Sequence, residues 1–353
     1  MRGLVSDMAD RNLILQEIGS FRKPEYLSKN FHQLEGTAEF NKLAGKATLE
    51  TLDLFKKSGL ENLGVGGEMF RWEMYEALAN NIGNLEFYGM VRSFDNRYYR
   101  KGSVTGPVVR KHPFHRDELE FLLANTRDTL KLPITGPYTM MDWSFNEYYR
   151  DRRELANAYA DAINAELREL KGIWDRYRKG EIFEVQIDEP AATTHPSEMD
   201  IVVESVNRSF EGISGIEPSI HVCYSIDYAY LYNTMADLKV HGLNLEFANR
   251  DPLTVGRGTD NRPGYADLKE YAAMNDTLSK KKFMGLGVTD VHIDDIESVE
   301  LIQDRIETAL KIIGDPALVR INPDCGLRTR SRETGFEKLR NMALATAAVR
   351  KEL

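Results

Sequence analysis

Ser219-Ile-His-Val-Cys-Tyr224 reads as an apolar strand that ends in chemistry. Side chains alternate between the two faces of a strand, so His221 and Cys223, at i and i+2, look the same way. Two further apolar runs end alike. Leu243-Asn-Leu-Glu246 closes on a carboxylate, and Ile321-Asn-Pro-Asp-Cys325-Gly326 closes on the only other cysteine of the chain. One nitrogen, two sulfurs and one oxygen form a ligand set suited to zinc. Each residue alone has a plainer reading, because a single His or Cys on an apolar strand is usually a core residue. A disulfide between Cys223 and Cys325 is the other alternative, disfavoured in a reducing compartment.

The same design repeats outward along the chain. Leu13-Ile-Leu-Gln-Glu-Ile18 breaks at Gly19-Ser20-Phe21, and Asn62-Leu-Gly-Val65 leads into Gly66-Gly67-Glu68. Leu132-Pro-Ile-Thr135 stops at Gly136-Pro137, with Trp143 shortly after. Ile182-Phe-Glu-Val-Gln-Ile187 is closed by Asp188-Glu189-Pro190, and Phe283-Met-Gly-Leu-Gly-Val288 runs into Thr-Asp290-Val-His292. Between these runs lie helical stretches: roughly 24–57 with breaks at Gly36 and Gly45, 69–80, 146–178, one N-capped by Ser197, 226–239, 265–278, 294–313 and 333–352. The segment from Gly83 to about His115 is aromatic and basic and reads as a β-hairpin or extended insertion.

With that segment set aside, eight strand–helix units remain, and no linker rich in Pro, Gly or Ser divides them. The expectation is an α/β fold: a single (β/α)8 TIM barrel spanning 1–353, with a β-hairpin inserted after the second strand. A doubly wound sheet would carry G-x-G-x-x-G after its first strand, and Ile18-Gly-Ser-Phe-Arg is not that pattern. In a barrel, the strand-end residues Ser20, Glu68, Asp188, His221, Cys223, Glu246, His292 and Cys325 would ring one mouth.

Composition sets the surroundings. A chain of 353 residues, 42% hydrophobic and 29% charged, has ample material for a core. Met1 to Asp10 carries two aspartates and no long apolar stretch, unlike a signal peptide, and no run is long enough for a membrane helix. A formal charge of −9 argues against general nucleic-acid binding. Two cysteines without a CxxC pair fit a cytoplasmic protein.

Ligands from three distant strands at a barrel mouth differ from the short loops of a structural zinc ribbon. Two thiolates and a carboxylate outweigh the charge of Zn2+, so such a site generates hydroxide poorly. A substrate thiol bound there is deprotonated yet stays electron-rich. The expected chemistry is activation of a thiol nucleophile for alkyl transfer.

Several strings together carry a family resemblance: Ile18-Gly-Ser-Phe, Gly67-Glu68, Thr135-Gly-Pro with Trp143-Ser-Phe, and Gln186-Ile-Asp-Glu-Pro-Ala191. They continue with His221-Val-Cys-Tyr, Glu246, Gly287-Val-Thr-Asp-Val-His292 and Asn322-Pro-Asp-Cys-Gly-Leu-Arg-Thr-Arg330. From about residue 12 to the end, the chain resembles the catalytic C-terminal barrel of cobalamin-independent methionine synthases. The resemblance implies that His221, Cys223, Glu246 and Cys325 bind zinc and that the sulfur of homocysteine joins them. It implies that Ile18 and Ser20 meet the amino-acid portion, that Glu68 and Asp188 hold its ammonium, and that Trp143 packs on a donor ring. His292 would supply a proton to the departing carrier; Asp290 either orients that imidazole or caps a helix.

Two departures stand out. The usual enzyme has a second, N-terminal barrel, for which this chain has no room. The glutamate often found six residues after the aspartate of Asp-Glu-Pro-Ala is Thr194. The methyl donor is therefore open between a methylated corrinoid protein or methylcobalamin and a methyltetrahydrofolate-type compound. A related transferase acting on another thiol and a non-catalytic barrel with structural zinc are the alternatives. Arg92, Arg97, Arg100, Lys101, Arg110, Lys111 and Arg116 face only Asp95 in the inserted segment. They serve either solubility or the reception of an anionic donor.

Overall fold

The computed structural model describes residues 12–92 and 98–353. Met1 to Asp10, Asp95 and Arg97 lie outside the described residues. The chain opens with strand β1 (Ile14–Leu15), helices α1 (Glu25–Ser28), α2 (Phe31–Leu34), α3 (Ala38–Ser58) and α4 (Met74–Ala79), and strands β2 (Ile82–Arg92) and β3 (Tyr98–Arg110). Helix α5 (Arg116–Asn125), strand β4 (Lys131–Thr135), helix α6 (Pro137–Asp142), strand β5 (Phe145–Asn146) and helix α7 (Arg152–Tyr177) follow. Strands then alternate with helices: β6 (Phe183–Asp188), α8 (Met199–Ser209), β7 (Ile216–Val222), α9 (Ala229–Tyr232), β8 (Gly242–Leu245) and α10 (Leu268–Thr277). Strand β9 (Phe283–Gly287), helix α11 (Val299–Ile313), strand β10 (Val319–Asn322) and helix α12 (Arg332–Arg350) end the chain.

Seven strands form one parallel sheet in the order β1-β10-β9-β8-β7-β6-β4. The sheet is curled, because side chains from strands that are not neighbours meet on one face. Gln16 Nε2 donates to Asn244 Oδ1 at 2.8 Å and to Asn322 Oδ1 at 3.2 Å, and Asn244 Nδ2 donates to Gln186 Oε1 at 2.9 Å. This concave face is polar at every second residue. Glu184, Gln186 and Asp188 come from β6, and Glu217, Ser219 and His221 from β7, with Arg320 bridging Glu184 and Glu217 at 2.7 and 2.6 Å. The intervening apolar residues, such as Val185, Ile187, Ile220 and Leu286, are fully buried on the opposite, helix-covered face. Gly285 is required by this packing, since a Cβ there would lie 1.9 Å from Asn244 Oδ1.

The expected second strand is the main difference. Only Asn62 pairs, through single parallel bridges to Gln16 and to Thr129 at the two edges of the sheet. Gly64, Gly66 and Gly67 then take positive φ (52°, 68° and 83°), which ends the extended run after one pairing residue. The inserted segment is an antiparallel pair of β2 and β3, to which β5 adds a parallel third strand.

Several helices are shorter than periodicity alone predicts. Gly36 does break the first helical region, at φ 80°, but Gly45 sits inside α3 with the Phe121 ring against it. The region 69–80 yields only Met74–Ala79, and 226–239 only Ala229–Tyr232. Ser197 lies within a short 3-10 turn, and α8 begins at Met199. Helix α11 starts later than expected, at a cap in which Ser298 Oγ accepts from Leu301 N at 3.2 Å. Among the described residues, no helix is long and apolar enough to cross a membrane.

Three basic charges of the hairpin region are spent within the chain. Arg100 binds Glu76 and Asn80, Arg110 binds Glu166 and Glu169, and Arg116 binds Glu169. Lys101 Nζ lies over the Phe145 ring at 4.3 Å. Among the described residues, three of the seven basic side chains are thus paired with carboxylates.

Candidate metal centre and substrate cleft

The C-terminal ends of β7 and β10 bring His221, Cys223 and Cys325 together, each offering a ligand atom within 4.8 Å of the others. Both cysteines are free thiols, so the disulfide alternative is not realised. His221 Nδ1–H donates to the Asn244 carbonyl at 2.9 Å, and Nε2 lies 3.4 Å from Cys325 Sγ. A backbone carbonyl only accepts, so this bond keeps a proton on Nδ1 and makes Nε2 the nitrogen that would face a metal. The Cys223 thiol is held well above its usual pKa by its hydrogen bond with Cys325 and by burial. A divalent cation reverses that preference, because a coordinated thiol is deprotonated. Two sulfurs and an oriented imidazole fit zinc.

Glu246, expected as the fourth ligand, is not in this group. Its Oε2 accepts from Tyr224 N at 2.6 Å and Asn249 Nδ2 at 2.9 Å, and its Oε1 meets His292 Nε2 at 3.2 Å. Asp324 holds the surrounding loop: Oδ1 accepts from Phe247 N and Ala248 N at 3.0 Å, and Oδ2 from Asn249 N at 2.7 Å. The Asn-Pro-Asp-Cys string therefore supplies a sulfur and, one residue earlier, the clamp on the Glu246 loop.

A cleft opens over the cysteines. It is walled by Ile18, Ser20, Glu68, Asp188, Trp143, His221, Cys223 and Cys325, which unites most of the residues singled out from the sequence. Asp188 Oδ1 accepts from Gln186 Nε2 at 2.8 Å, and that amide also donates to the Ile18 carbonyl at 2.9 Å. Burial pushes the Asp188 carboxyl up to about 7, with the His221 charge opposing and the Glu68 charge adding. Its neighbour Glu189 supports the scaffold instead. The Glu189 carboxylate accepts from Tyr138 N and Thr139 N and so caps α6, whose C-terminal end carries Trp143.

His292 and Asp290 are not in the cleft wall; the His292 ring lies 4.7 Å from that of Tyr224, which is. Burial alone would lower the His292 imidazole, but the hydrogen bond and charge of Glu246 raise it to about 9. The Asp290 charge also raises the His292 imidazole. Asp290 Oδ1 accepts from the His292 backbone N at 2.7 Å, and no helix starts beside it, so the helix-capping expectation does not hold. Strand β9 ends at Gly287, so the two residues lie in a turn rather than on one strand face.

The cleft also contains Glu73, Tyr98, Tyr99, Tyr224 and Arg328, to which sequence reasoning assigns no role. Tyr99 stacks on Trp143, with ring centroids 5.1 Å apart and planes inclined at 27°. Tyr98 and Tyr99 are visible in the sequence as hairpin aromatics, but nothing there shows that the hairpin base reaches the mouth. Tyr224 adopts φ 61°, a backbone turn with no glycine to announce it. Thr194 lies outside this cleft, bonded to the His195 ring at 2.8 Å.

A family profile described as the catalytic domain of the cobalamin-independent synthase matches residues 16–348. The methionine synthase of Thermoplasma acidophilum is 60% identical over 341 residues, covering 97% of this chain and 99% of that protein. That of Pyrococcus horikoshii is 36% identical, covering 95% and 92%. Among solved structures, the B12-independent methionine synthase of Shewanella sp. W3-18-1, in complex with selenomethionine, superposes with a TM-score of 0.77 at 22% identity, covering 97% of this chain and 99% of that one. This chain is an enzyme that belongs to the cobalamin-independent methionine synthase family.

Proposed function

We propose that this chain is a zinc-dependent methyltransferase that methylates the thiol of homocysteine to form methionine. The observation that carries this reading is one shared cleft, in which the His221–Cys223–Cys325 group lies beside the carboxylates of Glu68 and Asp188. His221, Cys223 and Cys325 would hold the metal, with Glu246 completing the set by turning from Tyr224 N and Asn249. Bound zinc supplies the Lewis acidity that keeps a substrate thiol as a reactive thiolate near neutral pH.

The remaining chemistry belongs to the chain's own side chains. Glu68 and Asp188 bind the ammonium of the amino acid through charge-assisted hydrogen bonds. Ile18 and Ser20 receive its carboxylate end through backbone and hydroxyl groups. Trp143, backed by Tyr99, presents an aromatic face to the methyl donor. His292 holds a proton at Nε2 against Glu246 for the departing carrier, and Asp290 holds the backbone of that turn. The donor is a methylated corrinoid, free or protein-bound, or a methyltetrahydrofolate-type compound.

We read residues 1–353 as one cytoplasmic barrel domain in which Asn62 supplies the eighth, single-residue strand between β1 and β4. The decisive experiment screens methyl donors with homocysteine while following zinc coordination by X-ray absorption. Methionine formation with an added sulfur neighbour on zinc supports the reading. Zinc whose coordination ignores homocysteine makes the site structural and overturns it.

A further inference from the structure

The mechanism does not use one buried ion pair, Arg71–Glu118, although it stands directly behind Glu68. Arg71 is gripped on three sides: Nε and Nη2 donate to Glu118 Oε2 at 3.1 and 2.9 Å, and Nη1 donates to the Pro133 carbonyl of β4 at 2.8 Å. Both side chains are almost completely buried, at 6% and 2% exposure. The guanidinium presents Nη1 to Glu68 Oε1 at 3.9 Å, too long for a hydrogen bond yet close enough for strong attraction. Glu68 itself sits at φ 60°, with Oε1 packed so closely over Gly19 that a Cβ there would lie 2.7 Å away.

We propose that the Arg71–Glu118 pair is the positioning element that makes the cleft selective for thiols bearing an amino group. This rests on the reading that Glu68 and Asp188 take the substrate ammonium. Arg71 steadies the Glu68 carboxylate near that of Asp188 without occupying its lone pairs, which remain for an incoming ammonium. Glu118 is the necessary counterweight. Held through two N–H groups by Glu118, the guanidinium cannot close the gap to Glu68, and the neutral pair adds no net repulsion toward a cationic group. Without Glu118, Arg71 is a buried, uncompensated cation whose nearest anion is the substrate's own partner. It would then neutralise Glu68 and compete with the ammonium.

The test compares kcat/KM for homocysteine with kcat/KM for 4-mercaptobutanoate, the same thiol without the amino group, using the zinc-loaded enzyme. The wild type should prefer homocysteine strongly. Glu118→Gln should reduce the ratio of the two at least tenfold, chiefly through the KM for homocysteine. Because Glu118 is buried and its variant can fail to fold, Arg71→Lys is measured alongside. It keeps the charge but lacks the planar fork, and its ratio should fall in the same direction. A purely structural role would lower the amount of folded enzyme and leave the ratio alone. A large wild-type ratio that survives in either folded variant overturns this inference by itself. A wild-type ratio near one overturns the ammonium assignment of Glu68 and Asp188, and this inference with it.

Discussion

The His221 imidazole donates its Nδ1 proton to the Asn244 carbonyl at 2.9 Å, which turns Nε2 toward the two cysteine sulfurs. The acceptor belongs to β8, two residues before Glu246, so sheet pairing itself orients the ring. We expect the purified protein to hold about one zinc per chain, the stoichiometry of a single four-ligand site. Cys325→Ser should lower both metal content and methyl transfer, measured by elemental analysis and product formation. Full zinc retention in Cys223→Ser/Cys325→Ser would rule the site out.

The stacking of Tyr99 on Trp143 gives a second prediction. Trp143→Ala removes the face offered to the donor, and Tyr99→Leu removes its support. Aromatic pairs contribute roughly 0.5–1.5 kcal/mol beyond their buried area, so the KM for the donor should rise up to about tenfold. Zinc content and the KM for homocysteine should not move. An equal rise in both Michaelis constants would place the ring over the acceptor instead.

Much of the candidate site was legible because strands alternate and a curled parallel sheet gathers strand ends. His221 and Cys223 could be placed on one face from their spacing alone, and Asp188 and Cys325 from the apolar runs that stop at them. What escaped reading depends on contacts between distant segments. Nothing local shows that Glu246 is held by Tyr224 N and Asn249. Arg100, Arg110 and Arg116 looked unopposed because their partners, Glu76, Glu166 and Glu169, lie on helices on either side of the hairpin in the sequence. The second strand shrank to Asn62 because three glycines with positive φ follow it, whereas apolar pattern alone reads Leu63 and Val65 as strand. Gly45 misled in the opposite sense, because tertiary packing against Phe121 outweighed its poor helix propensity.

Asp251 joins two arginines in the interior. Its Oδ2 lies 2.8 Å from Arg262 Nη1 and 3.0 Å from Arg305 Nε, with all three side chains at 0% exposure. Arg305 also donates to the Val288 carbonyl at 2.9 Å, just before the turn that carries His292. Asp251→Asn would strand the buried Arg262 cation and leave Arg305 only Glu297 at 3.5 Å, and removing one partner of a buried pair costs about 3–5 kcal/mol. Urea unfolding should show this loss at neutral pH. A variant as stable as the wild type would mean that water or other carboxylates already share the charge.

Glu17 should make stability depend on pH. It follows β1, its carbonyl accepts from Lys131 Nζ at 2.6 Å, and its Oε1 has no hydrogen-bond partner among the described residues. Burial raises its carboxyl from 4.5 to about 8, with Lys131 opposing and Glu68 and Asp188 adding. The folded chain therefore binds this proton more tightly than the unfolded chain does. Stability from the neutral form is fully present below about 4.5 and is lost as pH rises through the window to about 8. Inside that window the slope is on the order of 1.4 kcal/mol per pH unit for one group. Glu17→Gln cannot ionise and should escape this loss. The variant and the wild type should differ little near pH 5, and the variant should be more stable by a few kcal/mol (about 2–4) at pH 8. Paired urea titrations at several pH values measure the gap directly. A gap that stays constant between pH 5 and 8 would show that Glu17 is already ionised in the folded protein, with Lys131 as its counter-charge.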